Sequence, residues 1–194
     1  MSGNARETEK TVKKWIDELT DQFRHKTGLS SSSMKKNLEN IAGDFATIKK
    51  EKKKLKKVGI VGEIYVKYSS FGNNNLEKFL LSQDCEYMVP GVLGFFQYCF
   101  SNIETDHKYY GGNPIVKLAG KAAEKMAASW ENLMINVLKK YPEFTPPSPF
   151  SNIKALAEKV IDRGVKMGEG WLLPGEMAEL IEKGYNNIIC AQPF

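Results

Sequence analysis

The sequence predicts an α/β fold, a largely parallel sheet with helices on both faces, preceded by two amphipathic helices. Three observations carry that expectation. Apolar, β-branched runs at 58–66, 86–89 and 187–191 are each bounded by turn residues, as buried strands are. Helical periodicity fills the intervals between them, and strands alternating with helices imply a parallel sheet covered by those helices. The first 57 residues contain no strand run, and their apolar positions recur at three- and four-residue steps.

Taken in order, Val12, Trp15, Ile16, Leu19 and Phe23 form the stripe of a first helix, stopped at Gly28. "SSSS" at 30–33 supplies caps for a second helix bearing Leu38, Ile41, Ala42, Phe45 and Ile48. The pair is expected to lie antiparallel over residues 8–54 and to dock on the following domain, on a partner or on a second copy in a homodimer. The strand at 58–66 comes next, then the loop and helix of "FGNNNLEKFLLSQD", where Asn74 and Glu77 have the spacing of a capping box. "CEYMVPG" reads as a second strand. A helix with Val92, Leu93, Phe95, Phe96, Cys99 and Phe100 follows, with Cys99 expected in the core, and then a long helix over Pro114–Lys140. "YPEFTPPSPF" interrupts the chain with four prolines before a helix at 153–161. "GEGWLLPGEMAELIEKG" places Pro174 near a helix start and Gly184 past its end, and 187–191 closes the sheet. The expected organisation is a basic helical pair, 1–57, and an α/β domain, 58–194, of Rossmann-like or flavodoxin-like type.

Charge divides at the same boundary. Residues 1–57 hold fifteen Lys/Arg against eight Asp/Glu, and residues 58–194 hold thirteen against fifteen. The lysine run "KKEKKKLKK" at 49–57 could attract a polyanion, but no aromatic side chains interleave with it to stack on bases, so nucleic acid is not the expected partner. No apolar run is long enough to span a bilayer, and the N-terminus is too polar for a secretory signal. Cys85, Cys99 and Cys190 are odd in number and widely spaced, which fits a reducing interior, and a cytoplasmic location is expected.

Motifs for several chemistries are missing. The two histidines, His25 and His107, have no partner at zinc spacing, no G-x-S-x-G elbow occurs, and "VGIVGE" lacks the third glycine of a dinucleotide fingerprint. Glu63 beside Tyr65 at a strand end, and Glu169 beside Trp171, are the acid/base candidates, each weighed against a purely structural role. Asn73, Asn74 and Asn75 at a helix start could hold an anion or simply cap the helix. Gln192 leaves the last strand. Glu63, Tyr65, Asn73, Asn74, Glu169, Trp171 and Gln192 are expected along one rim at the carboxyl ends of the strands, where ligands of parallel sheets collect.

"KKVGIVGEIYVKYSSFGNNNLEKFLLSQDCEYMVPGVLGFFQYCF" and "GEGWLLPGEMAELIEKGYNNIICAQPF", in that order, resemble the 2-hydroxyacyl-CoA dehydratase family. The likeness is greatest to the dehydratase-like region of CoA-substrate-specific enzyme activases, proteins related to the 2-hydroxyglutaryl-CoA dehydratase activator. In that family "QPF" runs on into a Gly-Cys-Leu-Pro-Asn-His segment, so the resemblance implies a domain of a longer protein, truncated at its C-terminus and lacking the family's ATPase region. It implies a 4Fe–4S cluster in the full-length protein and none in this fragment, with Cys190 as a candidate metal ligand and Asn73, Asn74, Trp171 and Gln192 as candidate cofactor-binding residues. Relatives inject one high-energy electron, driven by ATP hydrolysis, to remove water from a 2-hydroxyacyl-CoA through a ketyl radical. The implied partners are the remaining domains of the parent, dehydratase subunits or an activator, and an acyl-CoA, in anaerobic metabolism. The isolated chain is expected to do no chemistry. Two alternatives stand beside this: an ATP-dependent reductase using a double-cubane cluster, and a noncatalytic α/β binding module with a basic helical arm.

Overall fold

The computed structural model describes residues 5–50 and 54–193. Along the chain these form α1 (Ala5–Arg24), α2 (Ser31–Ala46), β1 (Lys56–Gly62), α3 (Ile64–Tyr68), α4 (Leu76–Ser82), β2 (Cys85–Met88), α5 (Leu93–Tyr110), α6 (Pro114–Leu138), α7 (Phe150–Ala157), α8 (Leu172–Glu182) and β3 (Asn187–Ala191). The chain divides into two compact units, one of Met1–Lys53 with Asn132–Pro147, the other of Lys54–Glu131 with Ser148–Phe194. The sequence boundary was expected at residue 57, and part of the lysine run there, residues 51–53, lies outside the described residues.

The first unit is helical. Ser30 caps α2 by accepting a hydrogen bond from the Ser33 amide, and α1 and α2 run antiparallel: Trp15 meets Asp44 while Gln22 meets Asn37. The buried Trp15 donates its indole N–H to Asp44 at 2.8 Å, and Lys14 reaches the same carboxylate at 2.6 Å. Lys14 holds that carboxyl below its ordinary pKa. The end of α6 contributes buried Ile135 and Val137, and beyond it Lys140 pairs with Glu39, whose backbone carbonyl accepts from the Tyr141 hydroxyl.

The second unit is a mixed α/β structure on a three-stranded parallel sheet of order β2-β1-β3. Lys56 to Gly59 pair with Cys85 to Met88, and Val58 to Gly62 pair with Asn187 to Ala191. Side chains alternate across β1. Val58 and Ile60 pack with Leu80 of α4, whereas Val61 packs with Leu173 and Leu180 of α8. A third cluster joins Tyr98 of α5, Phe150 and Ala157 of α7, and Trp171 and Leu172.

Four expectations change. The first strand stops at Gly62 rather than at 66, and Ile64–Tyr68 is helical despite its β-forming residues, because carboxylates cap its amides (below). The helix expected at 153–161 spans Phe150–Ala157, since buried Glu131 accepts from the Phe150 amide with both oxygens, at 3.0 and 3.1 Å, and fixes the start. The N-cap position of α4 is Asn75, not Asn74, and it makes no side-chain cap bond; Asn73 supplies the acceptor, its Oδ1 taking the Leu76 amide at 3.2 Å, while Asn74 and Asn75 adopt left-handed φ of 53° and 57°. Finally, α5 buries a polar face, Gln97, Tyr98, Ser101 and Thr105, and turns Phe96 and Cys99 outward, so Cys99 is not a core residue.

Candidate functional site at the carboxyl edge of the sheet

β1 and β3 end side by side, and three remote segments meet there. Gly62 pairs with Ala191, and the approach is so close that a Cβ on Gly62 would lie 2.0 Å from the Ala191 carbonyl oxygen. The next amide, that of Glu63, donates to the same oxygen at 3.1 Å. The chain then turns into α3, whose first three amides all find side-chain acceptors. Glu63 Oε2 accepts from Tyr65 and Val66 at 3.0 and 3.2 Å, and Glu169 Oε1 accepts from Ile64 at 3.1 Å.

Glu169 reaches this position through a tight loop. Gly168 and Glu169 are both left-handed, each with φ of 58°, and a Cβ on Gly170 would lie 2.3 Å from the Val165 carbonyl oxygen. α5 anchors the loop twice: the Tyr98 hydroxyl donates to the Lys166 carbonyl, and Trp171 Nε1 donates to Asn102 Oδ1 at 2.9 Å. Burial lifts the Tyr98 phenol to about 12. Trp171 is fully buried, with its ring 5.0 Å from that of Tyr98.

Under α3 lies the strongest electrostatic feature. Lys67 Nζ contacts both oxygens of Glu176, at 3.2 and 3.0 Å, with the two side chains 2% and 1% exposed. Burial pushes the Glu176 carboxyl above its ordinary value; Lys67 opposes that shift, and Glu179 and Glu169 add to it. Tyr68, beside the pair, donates to the Pro90 carbonyl at 2.6 Å, and its phenol is also raised by burial and by Glu176. Buried Gln97 of α5 has an Oε1 with no hydrogen-bond partner among the described residues.

The rim residues named from sequence therefore have distinct fates. Glu63 and Glu169 act as helix caps, which removes the α3 amides from anion binding. Tyr65 is exposed on α3, Asn73 accepts from the Leu76 amide of α4, and Asn74 is exposed beside it. Trp171 is core. Gln192 follows β3, and its Oε1 is buried with no partner among the described residues. Cys190 is exposed, one residue before the end of β3 and opposite Val61. Cys85 begins β2 at the other end of the parallel sheet. A 4Fe–4S cluster takes about four thiolates or substitutes. Among the described residues no group of three or more His, Cys, Asp or Glu could hold a metal ion.

Lys67 and Glu176 went unnoticed in the sequence, though a signal existed. Glu176 falls between Leu172 and Leu180 at four-residue spacing, a carboxylate in the middle of an apolar stripe. Comparison with protein-family models, with curated proteins and with solved structures returns no match for this chain. No helix among the described residues is long and apolar enough to cross a membrane.

Proposed function

We propose that the chain is an α/β domain of a 2-hydroxyacyl-CoA dehydratase/activase-type iron–sulfur system, with a Rossmann-like or flavodoxin-like sheet. In this reading it positions substrate and partner, while cluster and ATPase reside elsewhere in the assembly. One observation supports it above the others. Two segments that carry the family resemblance, "GEIYVKYS" and "GEGWL", converge with the end of β3 on one edge through Glu63, Glu169 and the Ala191 carbonyl, although Ile64 and Glu169 lie 105 residues apart in sequence. Parallel sheets place ligands at this edge.

No acid/base step is assigned to this chain, because Glu63 and Glu169 are engaged as caps and the Lys67–Glu176 pair is shut away from solvent. The exposed groups of the rim, Tyr65, Asn74 and Cys190, are left to contact a ligand or partner. Calorimetric titration of the full chain with a 2-hydroxyacyl-CoA, alongside CoA and the free hydroxy acid, tests the reading. Binding of the thioester, weakened about tenfold or more by Tyr65→Ala with Asn74→Ala, is the expected result. Absence of binding by any acyl-CoA would overturn it. It would favour the noncatalytic module, a reading also supported by the commitment of both rim carboxylates to structure.

A further inference from the structure

The sheet unit holds a cavity of about 290 Å³ between the end of α5 and the turn that follows α7, and none of the rim residues lines it. Cavities for drug-sized ligands measure about 300–1,000 Å³ and have mostly apolar walls. This one lies at the foot of that range, and its walls are mainly charged, which suits a ligand both small and polar. The charges are of both signs and are held in place. Arg163 Nη1 donates to Ser101 Oγ at 3.1 Å, and its Nε lies 2.9 Å from Glu158 Oε1. The Tyr109 hydroxyl donates between the two Asp162 oxygens, 2.8 Å from each, and the Gly164 amide donates to one of them at 2.7 Å. The Gly164 amide and then Tyr109 hold the Asp162 carboxyl below its ordinary pKa. Binding capacity is left over at both signs. The Lys108 ammonium rests 5.1 Å from the centre of the Tyr109 ring with no ion-pair partner among the described residues. Arg163 Nη2 and Glu158 Oε2 are likewise uncommitted among the described residues.

We propose that this cavity binds a small free α-amino acid as its zwitterion, with the carboxylate toward Lys108 and Arg163 and the ammonium toward Glu158 and Asp162. The four charged side chains make the walls neutral as a set. A simple anion entering the cavity meets the two carboxylates, and a simple cation meets Lys108 and Arg163, so each is opposed. Only a ligand that carries both charges a few ångströms apart is matched at each end. The planar guanidinium of Arg163, fixed by Ser101 and Glu158, suits a carboxylate in particular. Half-buried Ile161 supplies an apolar wall for a short side chain. This site is separate from the carboxyl edge of the sheet and does not depend on the acyl-CoA reading.

Amide proton–nitrogen NMR of the full chain, titrated with glycine, L-alanine, L-serine and L-valine, provides the test. At least one should bind with a dissociation constant of about 1 mM or tighter, within reach of so small a ligand, and should move the amides of Tyr109 and Gly164. The carboxamide and the N-acetyl derivative of that amino acid each lack one of the two charges, and each should bind about tenfold or more weakly. Lys108→Gln and Glu158→Gln remove one charge of each sign from the walls. Both positions are exposed, so the spectrum away from the cavity should stay unchanged while the affinity falls about tenfold in each variant. Absence of binding by all four amino acids would overturn the proposal, as would a carboxamide that binds as well as its parent. Inorganic phosphate bound by the unaltered chain as tightly as the amino acid would also overturn it, by marking a simple anion site.

Discussion

The two units handle charge differently. In the helical unit the ion pairs sit at the surface: Lys14 with Asp44, and Lys140 with Glu39. They fasten helices whose contact is already made by Trp15, Ala42, Ile135 and Val137. The sheet unit has surface pairs too, such as Lys121 with Glu104, but it also takes charged side chains inside. Lys67, Glu131, Glu169, Glu176 and Glu179 are all buried, and each of the five binds a backbone amide or another of the set. Exposed pairs contribute about 0–1 kcal/mol each, whereas removing one member of a buried pair strands the other without water. A buried carboxylate that caps a helix is thus part of how the chain turns, and a surface pair is an addition to a turn made by other means.

The contrast is tested most severely at Lys67. Lys67→Met should cost about 3–5 kcal/mol in chemical denaturation, because it leaves Glu176 buried alone. Lys67→Met combined with Glu176→Leu should recover most of that loss; if the double variant is no better than the single one, the pair is not the source of the effect. Gly62→Ala comes next, at about 3 kcal/mol, since its Cβ would strike the Ala191 carbonyl and part β1 from β3. Thermal unfolding would measure this directly. In the helical unit Asp44→Ala should cost only about 1 kcal/mol, by depriving Trp15 of its acceptor. A larger loss there would erase the distinction between the units.

The smallest expected effect concerns pH, and its sign differs between the two. The Asp44 carboxyl is lowered from 3.8, so the stability it contributes is present above that value and is lost as pH falls through the folded pKa. Glu176 is raised from 4.5, so the folded chain holds a proton that the unfolded chain has released. Stability therefore declines as pH rises from 4.5 through the folded pKa. Urea midpoints against pH for Asp44→Asn and Glu176→Gln should each lose one of these slopes.

What the sequence made legible is the frame. Val58, Ile60, Val61 and Ile188–Ile189 are β-branched positions between turn residues, and the helices between the strands implied the parallel pairing found, though not the strand order. The rim was legible as a place, through the ends of β1 and β3. Its chemistry was not. Ile64, Tyr65 and Val66 favour a strand, and they become helix because a carboxylate from the far side of the sequence meets the Ile64 amide. The inverted α5 was hidden for the same reason. Ser101 and Tyr98 can be buried, and Asn102 half-buried, only because Arg163, the Lys166 carbonyl and Trp171 arrive to satisfy them. Local pattern reports which surfaces are apolar; it does not report polar partners brought from a distance.

The loop from Lys166 to Trp171 shows what such partners do to motion. It has only a single turn of 3₁₀ helix, yet it is tied to α5 by Tyr98 and Asn102, to α3 by Glu169, and to itself by the Trp171 amide on the Val165 carbonyl at 2.7 Å. No one of these bonds can open far while the others hold. Exchange of the Trp171 and Ile64 amides with deuterium should consequently wait for cooperative opening of the whole sheet unit, so that a stretch resembling a surface loop is among the slowest to exchange.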